Sequence, residues 1–380
     1  ECISHITVTT PSFASILTSK QPISHGVLDN FYGGYFLDNQ HTTMAELLKN
    51  KGYATAAFIG GYNMKQKTNL SQGFDLYNDN FRIERNAALV NEDVLPWIEE
   101  HKDNKFFLFI HYYDPHGKYA PPAPYNHYFD FTTNEYDTNK IPNYQRKNGI
   151  TDPSFYIAQY DGEIAFTDYR IGRVLGKISE LGLQSETLII FTSDHGETMA
   201  EHHWWFDHGC FVFEEQIHVP LLLYYPKMFK HKRIETMVSH IDILPTVLNI
   251  LDIGFSKDVE GRSLLPLVRE GVWQNEFMFC ESGRGDPKRN KNILKGIEGK
   301  QFAVRSKEWK LIRTNKTTGI NYELYNLVHD PEELNNLVGQ TPTIEKELKA
   351  RLTVFLQNYE NSPYYTGRTN RCPNRELSRS

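Results

Sequence analysis

The amino-acid sequence predicts an α/β fold of three layers, α/β/α, around a mostly parallel sheet, followed by a small α+β subdomain. Three observations carry this. Short apolar runs alternate with helical periodicity, the pattern of a layered α/β fold. Polar clusters rich in His and Asp follow directly on two of those runs. After about residue 270 the apolar runs give way to segments with side chains for two faces.

Taken in order, residues 53–59 (YATAAFI) read as a strand, and 106–110 (FFLFI) as a fully buried one. Residues 158–183 read as a long helix, with Ile164, Ile171, Val174, Leu175, Ile178 and Leu181 at helical spacing. Residues 187–192 (TLIIFT) and 219–225 (VPLLLYY) are two further strands. Pro245 stands where a helix would start, with Asp242 as its N-cap, ahead of 246–251. Residues 302–313 and 322–327 predict antiparallel strands, and 343–359 a helix with Ile344, Leu348, Leu352, Phe355 and Leu356 on one face. This places a catalytic α/β domain at 1–272, a C-terminal subdomain at 273–361 and a polar tail at 362–380.

The chain has 380 residues, of which 39% are hydrophobic and 23% charged, which excludes a disordered chain. A net charge of −6 without a clustered basic face argues against nucleic acid as a partner. No apolar run approaches the ~18 residues of a membrane span. Cys2, Cys210, Cys280 and Cys372 form no CxxC pair, so a zinc-thiolate site is not expected, and their spacing leaves disulfides open. Asn69 and Asn315 head glycosylation tripeptides, a pattern frequent by chance.

Four clusters carry candidate chemistry. Ser193-Asp194-His195-Gly196 follows the 187–192 run, and ligands bind at the carboxyl ends of strands in open α/β sheets. Adjacent Asp and His there can reach one cation, and Gly196 allows a sharp turn; the plain alternative is a helix cap. The segment 201–209 holds His202, His203 and His208, which suit metal ligation or acid–base work near neutral pH. The segment 111–116 brings His111, Asp114 and His116 to the end of the 106–110 run; the alternative is an Asp-Pro turn. Thr7, Thr9, Thr10, Ser12, Ser15 and Thr18 cluster around a helix start, which favours an oxyanion or merely caps the helix.

Taken together, these residues resemble the sulfatase family of the alkaline phosphatase superfamily, over nearly the whole chain. Thr9-Thr10-Pro11-Ser12-Phe13 with Leu17-Thr18-Ser19-Lys20 is similar to the family's first signature, and Ser193-Asp194-His195-Gly196 to its later metal-binding strand end. Glu214-Glu215-Gln216-Ile217-His218-Val219-Pro220-Leu221, the 238–246 segment and Gly261-Arg262-Ser263-Leu264 resemble further family segments in the right order. Residues 303–312, 323–327 and 330–337 resemble its C-terminal subdomain.

The resemblance implies an alkaline-phosphatase-like fold and one divalent metal, Ca²⁺ or Mg²⁺, with Mn²⁺ or Zn²⁺ as alternatives. Asp194, His195 and Thr9 would hold it. Thr9, His116 and His208 would be catalytic, and His111, Lys118 and Lys20 would bind substrate. Asp207 would orient His208 or shape a turn. A second metal at His202 and His203 is not expected.

Two departures from the family matter. Thr9 stands where ordinary sulfatases have a Cys or Ser that becomes formylglycine, so no formylglycine is expected here. Phe13 replaces the supporting Arg. Threonine at this position resembles phosphodiesterase-like and phosphoethanolamine-transferase-like relatives. The family's opening strand, with its Asp ligands, has no counterpart ahead of Thr9. Three functions follow: hydrolysis of sulfate or related phosphate esters, on small molecules or glycans; phosphodiester or phosphonate-ester hydrolysis, or phosphoryl transfer; or binding by a catalytically impaired relative. Trp204, Trp205 and Phe206 would stack on a sugar or pack within their own loop, and residues 119–151 would set specificity. Family habit favours a secreted, periplasmic or lysosomal site, with a cytoplasmic one open. Oligomeric state is unread.

Overall fold

The computed structural model describes residues 1–30, 35–130, 141–147, 149–203, 205–254, 258–283, 299–316 and 319–361. Trp204, Cys372 and the tail 362–380 lie outside them, as does much of 131–148. The side chain of His203 is likewise outside the description.

A short strand β1 (Cys2–Ile3) leads into α1 (Thr9–Thr18), α2 (Pro22–His25) and α3 (Met44–Lys49). Helix α3 starts at a capping box in which Thr43 and Glu46 satisfy each other's backbone N–H. Strands β2 (Ala54–Ile59) and β3 (Leu76–Asn78) precede α4 (Ala87–Glu100) and β4 (Phe106–His111). Helix α5 (Pro153–Glu180) begins earlier than the apolar periodicity indicated, because Asp152 caps Ser154 N–H and Pro153 takes the first helical position. Its face also differs from expectation: Val174 and Ile178 are buried, whereas Ile164 and Leu175 face solvent.

Strand β5 (Ile189–Thr192) is followed by α6 (Glu214–Ile217). The single strand expected over 219–225 is two, β6 (His218–Val219) and β7 (Leu221–Tyr224), in different sheets. Pro220 separates them, since it has no N–H for a ladder. Next come β8 (Val238–Ser239), α7 (Ile243–Ile250) and α8 (Leu265–Glu270). Asp242 precedes α7 but makes no side-chain cap there. It accepts instead from the Ser239 and Arg262 N–H groups.

The C-terminal part has β9 (Met278–Glu281), β10 (Gln301–Arg305), β11 (Trp309–Lys316), β12 (Gly319–Asn326) and α9 (Pro342–Asn361). The run 302–313 is therefore a hairpin, turned where Ser306 N–H donates to Trp309 O. The four strands pair antiparallel in the order β12-β11-β10-β9. Leu348, Leu352 and Leu356 of α9 pack on Phe302, Val304, Leu311 and Leu324.

In the N-terminal part β3-β2-β4 are parallel, β5 pairs antiparallel with β7, and β1 sits between β6 and β8. Alternate side chains of β2 and β4 enter two apolar layers. Ala57, Ile59, Phe107 and Phe109 pack against α1, α3 and α7, and Ala56, Phe58, Leu108 and Ile110 against α4 and α5. Strand β5 joins the same two layers through Ile190 and Ile189. Yet β4 and β5 do not pair, and each keeps one ladder edge without a partner among the described residues. That slot explains a second departure. The 106–110 run reads as fully buried, but β4 is half-buried, as is β5, where Phe191 is 42% exposed. Among the described residues, no helix is long and apolar enough to cross a membrane.

A buried ionic cluster joins the two parts. Lys310 of β11 is fully buried and lies 3.0 Å from Glu214 and 2.7 Å from Glu333. Arg305 of β10 pairs with Glu214 at 2.9 Å and with Glu1 at 3.1 Å. Burial opposes the charge on Glu214, but Lys310 and Arg305 hold its carboxyl down to about 2. Removing one member strands a buried charge, which costs about 3–5 kcal/mol. Lys310→Met should therefore lower the urea midpoint strongly. Lys349→Ala, which breaks a far less buried pair with Glu345, should cost below about 1 kcal/mol. Equal effects of the two would contradict this reading of the cluster.

Candidate active site

Thr9 is the first residue of α1, and its Oγ1 lies 3.4 Å from His195 Nε2. The same nitrogen is 3.3 Å from Asp194 Oδ2. Two segments far apart in sequence meet here because the Asp194 carbonyl is held by α1. Ser12 Oγ donates to it at 2.7 Å, and Ser4 Oγ lies at the same distance. The hydroxyls around α1 do not cap the helix: its N-cap is Val8, without a side-chain bond. They serve tertiary contacts, such as Thr10 Oγ1 to Asn63 O and Ser15 Oγ to His25 Nε2.

His195 Nδ1 donates to Gly196 O at 2.8 Å. That fixes the tautomer, so Nε2 turns a lone pair toward Thr9 and Asp194. Gly196 is needed for close approach rather than for an unusual turn. A Cβ there would stand 1.9 Å from the Glu215 carbonyl oxygen.

His116 and His208 complete a row of rings. The His195 and His208 centroids are 4.4 Å apart, and those of His208 and His116 5.2 Å. His116 stacks on Tyr113 at 4.3 Å, and its Nδ1 donates to Gly117 O. Glu197 accepts from His208 Nδ1 at 3.3 Å with both oxygens. Asp207 Oδ1 accepts from the His208 backbone N–H and from Tyr144 OH. The orienting role read for Asp207 is thus shared: Asp207 holds the backbone and Glu197 the ring. Asp114 carries no chemistry at this site; its carboxylate accepts from Ala87 N–H at the start of α4.

His111 ends β4 beside this group. Phe13, which packs edge-on against its ring at 5.2 Å, fills the position where an Arg was expected. Burial pushes His111 and His116 down to about 4 and lowers His195 as well. Burial disfavours the Asp194 carboxylate, but His195, His111 and His208 beside it outweigh that and hold it ionised. At neutral pH the site is therefore electron-rich, with neutral imidazoles, a carboxylate and a hydroxyl. His111 Nδ1 is buried with no hydrogen-bond partner among the described residues. Deprotonated donors converging in this way fit a divalent cation. Without positive charge they would repel the oxygens of an anionic ester. Asp194, His195 and Thr9 supply only part of a shell, since hard cations take about six or more oxygen ligands.

Other candidates lie elsewhere. Lys20 follows the far end of α1, where its charge acts on His25 and His41. Lys118 is exposed and near Glu84. His202 stacks flat on Phe213 at 3.7 Å. With Glu215 and Glu333 it forms a group of ligating type, but Lys310 already neutralises Glu333. Trp205 and Phe206 are buried, with Phe206 against Tyr119 and Tyr156, so they serve the loop's own packing. The sequence assigned no role to Glu197, which directly follows the SDHG run, nor to Ser4 or His240. His240 Nδ1 lies 3.3 Å from Ser12 Oγ.

Comparisons with known proteins bear on the family and the fold. The family model for sulfatases matches residues 2–253, and that for the N-sulphoglucosamine sulphohydrolase C-terminal region matches 200–359. An ulvan-active sulfatase of Formosa agariphila is 26% identical, over 96% of this chain and 75% of that protein. Arylsulfatase K of Bos taurus is 30% identical over 62% of this chain and 41% of its own length. A structure solved in complex with its substrate D-glucosamine-2-N,6-O-disulfate superposes with a TM-score of 0.74 at 21% identity, covering 96% of this chain and 91% of that one. A phosphonate monoester hydrolase from Silicibacter pomeroyi gives 0.74 at 19% identity, covering 94% and 87%. At these identities the structural likeness shows the fold.

The low pKa of His116 has a consequence for stability. Its ordinary value is near 6.5 and its folded value about 4, so between these the unfolded chain binds the extra proton. Stability from this residue is present above about pH 6.5 and lost as pH falls toward 4. His116→Gln should therefore gain on the wild type as pH drops through that window, by up to about 3 kcal/mol. Urea unfolding of both proteins at pH 7, 5.5 and 4 checks this, and a constant difference would contradict it.

Proposed function

The chain belongs to the sulfatase family, and from that premise we propose that it hydrolyses sulfate esters of glycans or smaller alcohols with Thr9 as the nucleophile. The observation that carries this is the contact between Thr9 Oγ1 and the His195 lone pair beside Asp194, with His208 and His116 in line. A hydroxyl there can attack sulfur or phosphorus directly and form a covalent intermediate. The Thr9 hydroxyl first gives its proton to solvent; its oxygen then bonds to the central atom as the bond to the ester oxygen breaks. His208 gives the departing alcohol a proton, because Glu197 stabilises its imidazolium through Nδ1–H. Water then attacks the central atom, giving a proton to His208, and the bond to the Thr9 oxygen breaks to free the Thr9 alkoxide. His116 and His111 line the side where the non-bridging oxygens would lie.

Asp194, His195 and Thr9 would hold a divalent cation, Ca²⁺ or Mg²⁺, with Mn²⁺ or Zn²⁺ as alternatives. When bound, it would lower the pKa of the Thr9 hydroxyl and screen the ester's oxygens. The family resemblance implies further carboxylates to complete its shell, and the ladder edges of β4 and β5 that lack a partner among the described residues flank the site. Both flanking strands end at the site, one in His111 and the other just before Asp194.

A second substrate class is favoured by Thr9 itself. Threonine cannot become the aldehyde on which ordinary sulfatases rely, and a plain alkoxide suits phosphate diesters and phosphonate esters equally well. That chemistry is named by one of the similar structures, the phosphonate monoester hydrolase.

Aryl sulfate, aryl phosphate and aryl phosphodiester, assayed on the full natural protein with each of the four cations, separate these readings. Thr9→Ala should lose at least about a thousandfold in kcat, and Thr9→Ser should stay within about tenfold. A chelator should abolish turnover, and Asp194→Asn should weaken the dependence on added cation. Full activity in Thr9→Ala would remove it as nucleophile. No turnover of any ester would leave a binding relative.

A further inference from the structure

Gln216 is fully buried in α6 and touches the backbone beside both candidate histidines. Its carbonyl accepts from Gly196 N–H at 2.9 Å, and its Oε1 accepts from Gly209 N–H at 3.1 Å. Gly196 directly follows His195, and Gly209 directly follows His208. Both glycines are sterically required. The first is pressed onto the Glu215 carbonyl, and the second has φ +87°. The spacing of the two imidazoles is thus measured off one residue.

Helix α6 has four residues and cannot hold its own position. It is fastened at both ends. Glu214 is gripped by Lys310 and Arg305 of the C-terminal sheet, and its N–H donates to Glu333. Ile217 is buried among Ile3, Met278, Cys280 and Ala303.

We propose that Gln216 is a positioning residue that sets the His195–His208 spacing and transmits to it the rigidity of the C-terminal ionic cluster. The proposal deepens the functional reading above and rests on it for the roles of the two histidines. Misplacing a reacting group by about 1 Å can cost up to about a hundredfold in rate. Among the described residues its side chain hydrogen-bonds Gly209 N–H and its carbonyl Gly196 N–H, so the proposed action runs through the two glycines.

The test uses the full chain with Mg²⁺ and three variants. Gln216→Leu removes the acceptor for Gly209 N–H. Gln216→Asn keeps the amide but is too short to reach. Gln216→Glu keeps both reach and acceptor. It also sacrifices no contact of Nε2, which has no partner among the described residues. The Leu and Asn variants should lower kcat by about 10- to 100-fold with KM changed by less than about threefold. They should also move the imidazole ¹⁵N resonances of His195 and His208. Gln216→Glu should stay within about threefold of wild type, with both resonances in place.

Wild-type kcat in the Leu and Asn variants would overturn the proposal. So would a Gln216→Glu variant as impaired as Gln216→Leu, or loss of folded protein in both shortened and apolar variants. If the wild type turns over no ester, the resonances decide alone: unchanged imidazole spectra overturn the positioning role, and shifted spectra restored by Glu support it while the catalytic reading falls.

Discussion

The whole site hangs on one carbonyl oxygen. Asp194 O is accepted into a pocket made by Ser12 and Ser4, and Ser12 lies 182 residues away in sequence. A buried carbonyl must be satisfied, and this one is satisfied by the first turn of α1. That bond sets the register between α1 and the end of β5. If it were lost, Thr9 and His195 would have no reason to meet at 3.4 Å. His240 backs the arrangement by bonding Ser12 from behind. The second support comes from the opposite side, where α6 seats Gly196 and Gly209.

These supports hold together groups that have little affinity for one another. A carboxylate, neutral imidazoles and a hydroxyl crowd the ends of β4 and β5, which do not pair with each other and keep one ladder edge each without a partner among the described residues. The proposed cation would bring positive charge to this end of the sheet. Phe191 is exposed on β5, as is Leu222 on the neighbouring β7.

Much of this was legible in the sequence. The 106–110 and 187–192 runs and their polar sequels marked the sheet and the site, because a strand's carboxyl end follows directly in the chain. Helix α5 was visible through its periodicity, although its solvent side was misjudged where Ile164 and Leu175 remain exposed. Contacts set by tertiary packing were not visible. Asp207 and Glu197 are both acids close to His208, and only the fold shows that Glu197 meets the ring. Pro220 and Ser306 divided two expected strands, each a local signal overridden in the reading by continuous apolar character. Gly196 looked like a turn residue, but the Glu215 carbonyl is what excludes a side chain.

The central claim is that a threonine hydroxyl carries the transferred group. Rapid acid quench during turnover, followed by peptide mass spectrometry, tests it most directly. A sulfo or phospho adduct is expected on the peptide containing Thr9, formed at the rate of alcohol release and absent when Asp194 is replaced. Turnover with the adduct on another side chain, or with no adduct under conditions where alcohol is released in a burst, would contradict it.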